Sequence, residues 1–170
     1  MESRGSGGRG TLSQRLLQMT DTEKSDAMDT LAAQPPAEAA ESALAVLEGL
    51  VEAHGLIVAM TCLQLLIRHG TAAHLPRLRA LRALPAMVAL RDWRQEARFT
   101  VRLLETRARG ECDCVALRAA GDRPVSDDFE ILSETLGDWS VEMTVRCRAC
   151  GCGAVVTRDD GYHYPVFRWR

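Results

Sequence analysis

Apolar positions along this chain follow two different periods, and the change falls close to Gly110. From Ala37 to His54, Leu44, Leu47, Leu50 and Val51 recur at helical spacing. Pro36 is placed for the first turn, Glu38 and Glu41 complement the helix dipole, and Gly55 fits a C-terminal cap. Leu56 to His69 is apolar almost all round, the mark of a helix buried on most sides, and ends at Gly70. Thr71 to Arg82 carries Leu75, Leu78 and Leu81 three apart, with Pro76 in its first turn. Leu84-Pro85 breaks the chain, and a last helix is expected from Met87 to Arg109 with Leu90, Trp93, Ala97, Val101 and Leu104 facing inward. Beyond Glu111 the period drops to two. Trp139, Val141, Met143, Val145 and Cys147 alternate with polar residues, which predicts a strand with one buried face. Phe129–Thr135 is a second strand, and Ala154–Arg158 with Tyr162–Trp169 forms a hairpin about Asp159-Asp160-Gly161. Pro165 cannot donate to a ladder, so the last strand is expected at an edge or bulged.

These periods predict an α+β chain in three parts. Residues 1–36 are disordered or weakly ordered, with one or two helical turns around Leu12, Leu16, Leu17 and Met19. Residues 37–110 are an antiparallel helical bundle, because short connections force neighbouring helices antiparallel. Residues 111–170 are a small antiparallel β module that holds most of the aromatic residues.

The run Arg68-His69-Gly70-Thr71-Ala72-Ala73-His74-Leu75-Pro76, followed by Leu78, Leu81 and Leu84, resembles a HEAT-type repeat, with the Trp93–Leu104 helix as the second of a pair. The resemblance covers about 70 residues. It implies stacked helical hairpins and a scaffold that binds partners.

Cysteine supplies the strongest chemical signal. Five of the six lie in the C-terminal third, as Cys112-Asp113-Cys114 and Cys147-Arg148-Ala149-Cys150-Gly151-Cys152. Two close pairs flanking a sheet suit tetrahedral metal, which takes four soft ligands from two short segments. On an extended chain, Cys112 and Cys114 point to one face. Cys147-x-x-Cys150-Gly151 looks like a zinc knuckle, whose glycine relaxes the backbone while following amides face the sulfurs. The expected centre is one structural zinc on Cys112, Cys114, Cys147 and Cys150, with Cys152 and His163 as alternates. Iron remains open as the metal, although the usual iron–sulfur triple spacing is absent. The module resembles a zinc ribbon, which departs from this chain by carrying C-x-x-C in both halves. Ribbons bind nucleic acid, bind protein or stabilise their neighbours. Cys62, in the buried helix, is a small apolar core residue.

Charge changes the picture only locally. The net formal charge is −2, Lys24 is the only lysine, and the arginine bias reads as GC-rich codon usage. Residues 37–110 hold ten Arg against seven acids, and residues 111–170 hold seven Arg against eleven. Arg91, Arg94, Arg98 and Arg102 form one helical stripe for an acidic partner or phosphates, a pattern more often a solvated face. His54 and His69 precede glycines at helix ends and read as caps. No phosphate-binding glycine loop, G-x-S-x-G or H-E-x-x-H occurs. No apolar run reaches the about 20 residues that span a bilayer. The sequence therefore points to a cytoplasmic, non-enzymatic protein that binds a protein partner. Nucleic-acid binding is the first alternative, and a thiol-redox or metal-dependent enzyme using Cys147, Cys150 and Cys152 is the second.

Overall fold

The computed structural model describes residues 11–82 and 91–170. It forms two compact units, the first ending at Leu104 and the second running from Glu105 to Arg170. The first is helical. Among the described residues its helices are α1 (Leu12–Leu16), α2 (Asp21–Ala32), α3 (Pro36–Glu48), α4 (Leu56–His69), α5 (Leu75–Arg82) and most of α6 (Arg91–Ala108). Short 3-10 turns at Glu52–His54 and Ala72–His74 join them. The core draws Leu44 and Leu47 from α3, Cys62, Leu63 and Leu66 from α4, Leu78 from α5, and Trp93, Ala97 and Leu104 from α6. Gly70 is required by close approach: a Cβ there would lie 2.4 Å from the Leu66 carbonyl and 3.0 Å from the Leu104 side chain.

The ordered start of this unit lies further upstream than the periodicity indicates. Residues 11–32 do not form a weakly ordered lead-in; they carry α1 and α2. Thr11 with Gln14 and Thr20 with Glu23 make reciprocal capping boxes, which satisfy the first free amides of each helix. Leu16, Met28 and Leu31 then reach the core. The periodicity is faint because so few apolar residues do this work. Gly49 ends α3, and Gly55 stands at φ 84° before α4 instead of capping a helix that reaches His54.

His54 is also no dipole cap. It is buried, its Nδ1 accepts from the Val51 amide at 2.9 Å, and its Nε2 lies 2.7 Å from the Ser13 carbonyl. With Nδ1 an acceptor, the proton belongs on Nε2, which donates to Ser13. The Ser13 hydroxyl gives its own proton to the Gly49 carbonyl at 2.7 Å. One imidazole thus ties α1 to the turn after α3. The Leu84-Pro85 break, the start of the last helix at Met87, Leu90 and residues 1–10 lie outside the described residues.

The second unit holds α7 (Asp113–Ala120) and a four-stranded antiparallel meander of β1 (Phe129–Leu136), β2 (Ser140–Cys147), β3 (Gly153–Asp159) and β4 (Val166–Trp169), in that order. The period-two alternation is visible in β2, where Val141, Met143, Val145 and Cys147 are buried and Glu142, Thr144 and Arg146 exposed. Ala154 and Val156 of β3, Phe129 of β1, Trp169 of β4 and Cys114 of α7 complete this core. Trp169 meets Phe129 edge-on at 5.0 Å and donates its indole N–H to the Arg123 carbonyl at 2.6 Å. The Pro165 expectation holds in position, since β4 begins just after it and forms an edge.

Two expectations about the strands fail in this unit. Trp139 continues the alternation of β2 but is largely exposed, because it precedes the strand in the turn from β1. The last strand starts at Val166, so Tyr162, His163 and Tyr164 lie in the β3–β4 loop.

Candidate metal centre

The first ligand segment is a helix start and not the extended pair that its spacing suggested. Cys112 is the N-cap of α7, with extended backbone, and Cys114 sits in its first turn. The local sequence favours this. Asp113 complements the helix dipole, the Ala-rich run Val115-Ala116-Leu117-Arg118-Ala119-Ala120 propagates the helix, and Gly121 closes it at φ 81°. Cys114 and Leu117, three apart, fall on the side packed against the sheet. Arg107 holds the helix start with a two-pronged contact to Asp113, Nε at 3.0 Å and a terminal nitrogen at 2.7 Å. The Glu111 amide donates to the Thr106 carbonyl just upstream.

The second ligand segment is the turn between β2 and β3. The Cys147 amide donates to the Cys152 carbonyl at 2.9 Å, and the Gly151 amide returns to the Cys147 carbonyl at 2.9 Å. That tight closure needs Gly151 at φ 74°, which glycine adopts without strain. Arg148 anchors the turn, with its amide on the Asp128 carbonyl and its Nε on the Asp127 carbonyl.

These two segments bring the sulfurs of Cys112, Cys114, Cys147 and Cys150 within 4.8 Å of one another. Cys112 Sγ lies 3.6 Å from Cys147 Sγ, and Cys114 Sγ lies 3.4 Å from Cys150 Sγ. Bonded sulfurs would lie at about 2.05 Å, so all four are free thiols. Four sulfurs at about 2.3 Å from one tetrahedral zinc would be about 3.8 Å apart, so the donor set and its spacing fit that ion. Cys114 and Cys147 are buried, Cys112 is half-buried and Cys150 is exposed.

The electrostatics of the cluster fit a bound dication. Burial, then the Cys150 and Cys112 thiols, push Cys114 well above the usual thiol range. At Cys112 the Cys114 amide favours the thiolate, but burial and the facing Cys147 thiol outweigh it and the net shift is upward. Cys150 moves the other way, to about 6, because the Cys152 amide and then the Cys114 thiol donate to its sulfur. Sulfurs packed this closely raise one another when they share no cation, and a divalent ion relieves that repulsion.

The other candidate residues lie outside the four-sulfur cluster, although Cys152 adjoins Cys150. The Cys152 sulfur is exposed and is not one of the four, although its backbone carbonyl closes the turn. His163 sits in the β3–β4 loop, at the opposite end of β2 from Cys147, so strand direction keeps it from the cluster. Cys62 is buried in the helical core, which pushes its thiol up to about 12. Arg94, Arg98 and Arg102 are exposed along α6, while the Arg91 side chain lies outside the described residues. Glu96 turns inward and accepts from Gln64 Nε2 at 2.6 Å. Among the described residues no helix is long and apolar enough to cross a membrane.

The residues of the exposed aromatic loop tip went unmarked in the sequence, because Trp139 fits the strand alternation and Tyr162 and Tyr164 fit a strand pattern. The turn residues Gly137-Asp138 and Asp160-Gly161 around them were the available signal.

No family model, curated protein or solved structure matches this chain. What fold and site define is an α+β protein with a four-cysteine cluster suited to metal.

Proposed function

We propose that this chain is a zinc-stabilised protein-interaction module that performs no reaction of its own. The observation that carries the reading is the all-cysteine cluster, which draws two sulfurs from a helix start and two from a β turn. Four thiolates fill a tetrahedral zinc shell, whereas catalytic zinc characteristically keeps three protein ligands and an open position. Bound there, zinc would fasten α7 to the end of the sheet. The small core of this unit, with Val145, Val156, Phe129 and Trp169 at its centre, gains most from such a fastening.

Elemental analysis of purified protein tests the reading, with one zinc per chain expected. Cys150→Ser should lose metal and sheet structure, and Cys152→Ser should keep both. Visible absorption bands would instead indicate an iron–sulfur centre. Metal-free protein whose β unit stays folded in chelator would overturn the proposal. A readily reversible disulfide in metal-replete protein would favour thiol-redox chemistry.

A further inference from the structure

The end of the sheet remote from the cysteines exposes more aromatic surface than its fold requires. Trp139, in the turn from β1 to β2, is 73% exposed, and Tyr162 and Tyr164, in the β3–β4 loop, are 62% and 71% exposed. With Asp160, Gly161 and His163 they line a cleft of about 470 Å³. None of the three rings belongs to the core of this unit, which closes over Val141, Met143 and Val156 instead. Backbone bonds define the frame they project from. The Asp160 amide donates to the Trp139 carbonyl at 2.8 Å, the Gly161 amide to Asp159 Oδ1 at 3.0 Å, and the Gly137 amide to the Ser140 carbonyl at 2.8 Å. Gly161 packs against Trp139, since a Cβ there would lie 3.8 Å from the Trp139 Cβ. The three residues therefore share one cleft without being buried.

The charge around them is one-sided. Asp138 and Asp160 stand in the two loops and Asp159 ends β3, while Arg158, also on β3, is already paired with Asp160 at 3.0 Å. Asp138 has no hydrogen bond or ion pair among the described residues. Aromatic faces attract cations, and carboxylates at their rim add to the attraction. The same carboxylates repel phosphates, so stacking of single-stranded nucleic acid, which needs a basic groove along its backbone, is disfavoured. Anionic lipid is disfavoured for the same reason.

We propose that this aromatic, acid-rimmed loop tip docks an extended arginine- or lysine-bearing peptide segment of a protein partner. The inference rests on reading the chain as a protein-interaction module and names the chemistry of its partner. Guanidinium or ammonium groups lie on the Trp139 and Tyr faces, and Asp138 supplies the free counter-charge. An extended segment suits the site because a preformed polyproline conformation loses little entropy on docking to aromatic rings.

The test is a titration followed by tryptophan fluorescence, since Trp93 and Trp169 are buried and Trp139 is the exposed reporter. The probe is a ten-residue peptide of alternating Arg and Pro. The controls are its Glu-Pro counterpart, a ten-nucleotide oligothymidine and vesicles containing phosphatidylserine. Saturable binding of the Arg-Pro peptide alone is expected. It should weaken about tenfold in Trp139→Ala, about 1.4 kcal/mol, read by calorimetry because the reporter is gone, and severalfold in Asp138→Asn by fluorescence, with zinc content and circular dichroism unchanged. Tyr164→Ala, followed by calorimetry, should weaken it similarly. No saturable binding at millimolar peptide, unchanged affinity in all three variants, or tighter binding of oligothymidine or vesicles would overturn the proposal. Zinc content measured on the same samples separates the outcomes: a peptide failure with one zinc retained sinks the docking site alone, and absent zinc sinks the module reading.

Discussion

Replacing His54 with alanine probes the tie between α1 and the rest of the helical unit. Two bonds to the backbone go at once, with the 3.1 Å contact to the Ser13 hydroxyl. The Val51 amide loses Nδ1, but Val51 is exposed and water can replace the ring nitrogen. The Ser13 carbonyl loses Nε2–H, and Ser13 is buried, so it is left without a partner at a cost of about 1–3 kcal/mol. The void left by the ring adds about 1–2 kcal/mol, because a packed interior relaxes only in part. His54→Ala should therefore destabilise the unit by about 2–5 kcal/mol in urea unfolding. Ser13→Ala is a useful contrast. It deletes the donation to the Gly49 carbonyl and the 3.1 Å contact of the hydroxyl with His54 Nε2, leaves the bonds of His54 to the Val51 amide and the Ser13 carbonyl in place, and should cost about 1–2 kcal/mol. Nitrogen NMR should report the tautomer with the proton on Nε2, in slow exchange with solvent. A His54→Ala loss below about 1 kcal/mol, or a proton found on Nδ1, would refute this account.

The remaining predictions concern charge and thiols. Arg77 binds Glu48 at 2.5 and 2.7 Å and also contacts Glu41, and the Arg77 hydrogen bond lowers the Glu48 pKa. A depressed carboxylate pKa stabilises above the unfolded value and ceases to do so as pH falls through the folded one. Both side chains are over a third exposed, so Glu48→Gln should cost only about 0.2–1 kcal/mol at pH 7, and the gap from wild type should close below about pH 4.5 in pH-resolved melts. Cys62, with its thiol pushed up to about 12, should react with a thiol reagent only as fast as the helical unit opens, and denaturant should release the reaction. Arg94→Ala with Arg98→Ala tests the exposed stripe on α6. Neither wild type nor the double variant should shift DNA or RNA at low salt in gel-shift assays, and a salt-sensitive shift lost in the variant would make nucleic acid the partner.

What could be read beforehand follows from what each signal measures. Alternation in β2 reports one buried face, and the strand formed where Val141, Met143 and Val145 said it would. The apolar run of α4 likewise gave a helix with Cys62 inside it. The failures occur where periodicity and local chemistry part company. Alternation alone does not say where a strand starts, so Trp139 looked like core although it lies in a turn. The spacing Cys112-x-Cys114 suits a strand as well as a helix start, and only the alanines after it and Gly121 favour the helix. α2 stayed hidden because Met28 and Leu31 are nearly its whole contribution to the core, while the capping boxes that fix its start are polar. The tie through His54 joins residues 41 apart in sequence, beyond the reach of any local pattern.

The two cysteine pairs lie far from each other along the chain, and this bears on the unfolded state. Cys147 and Cys150 belong to one turn, but 32 residues separate Cys114 from Cys147. An ion gripping both pairs cross-links the chain across that interval, which includes most of α7, all of β1 and most of β2. Closing a loop of this length removes about 3.7 kcal/mol of conformational freedom from the denatured ensemble at 25 °C, by the chain-entropy argument applied to disulfides. A metal centre of this kind therefore acts as a removable covalent-like tether. Part of its contribution to stability would be exerted on the disordered chain, where no contact seen in the folded protein exists to account for it.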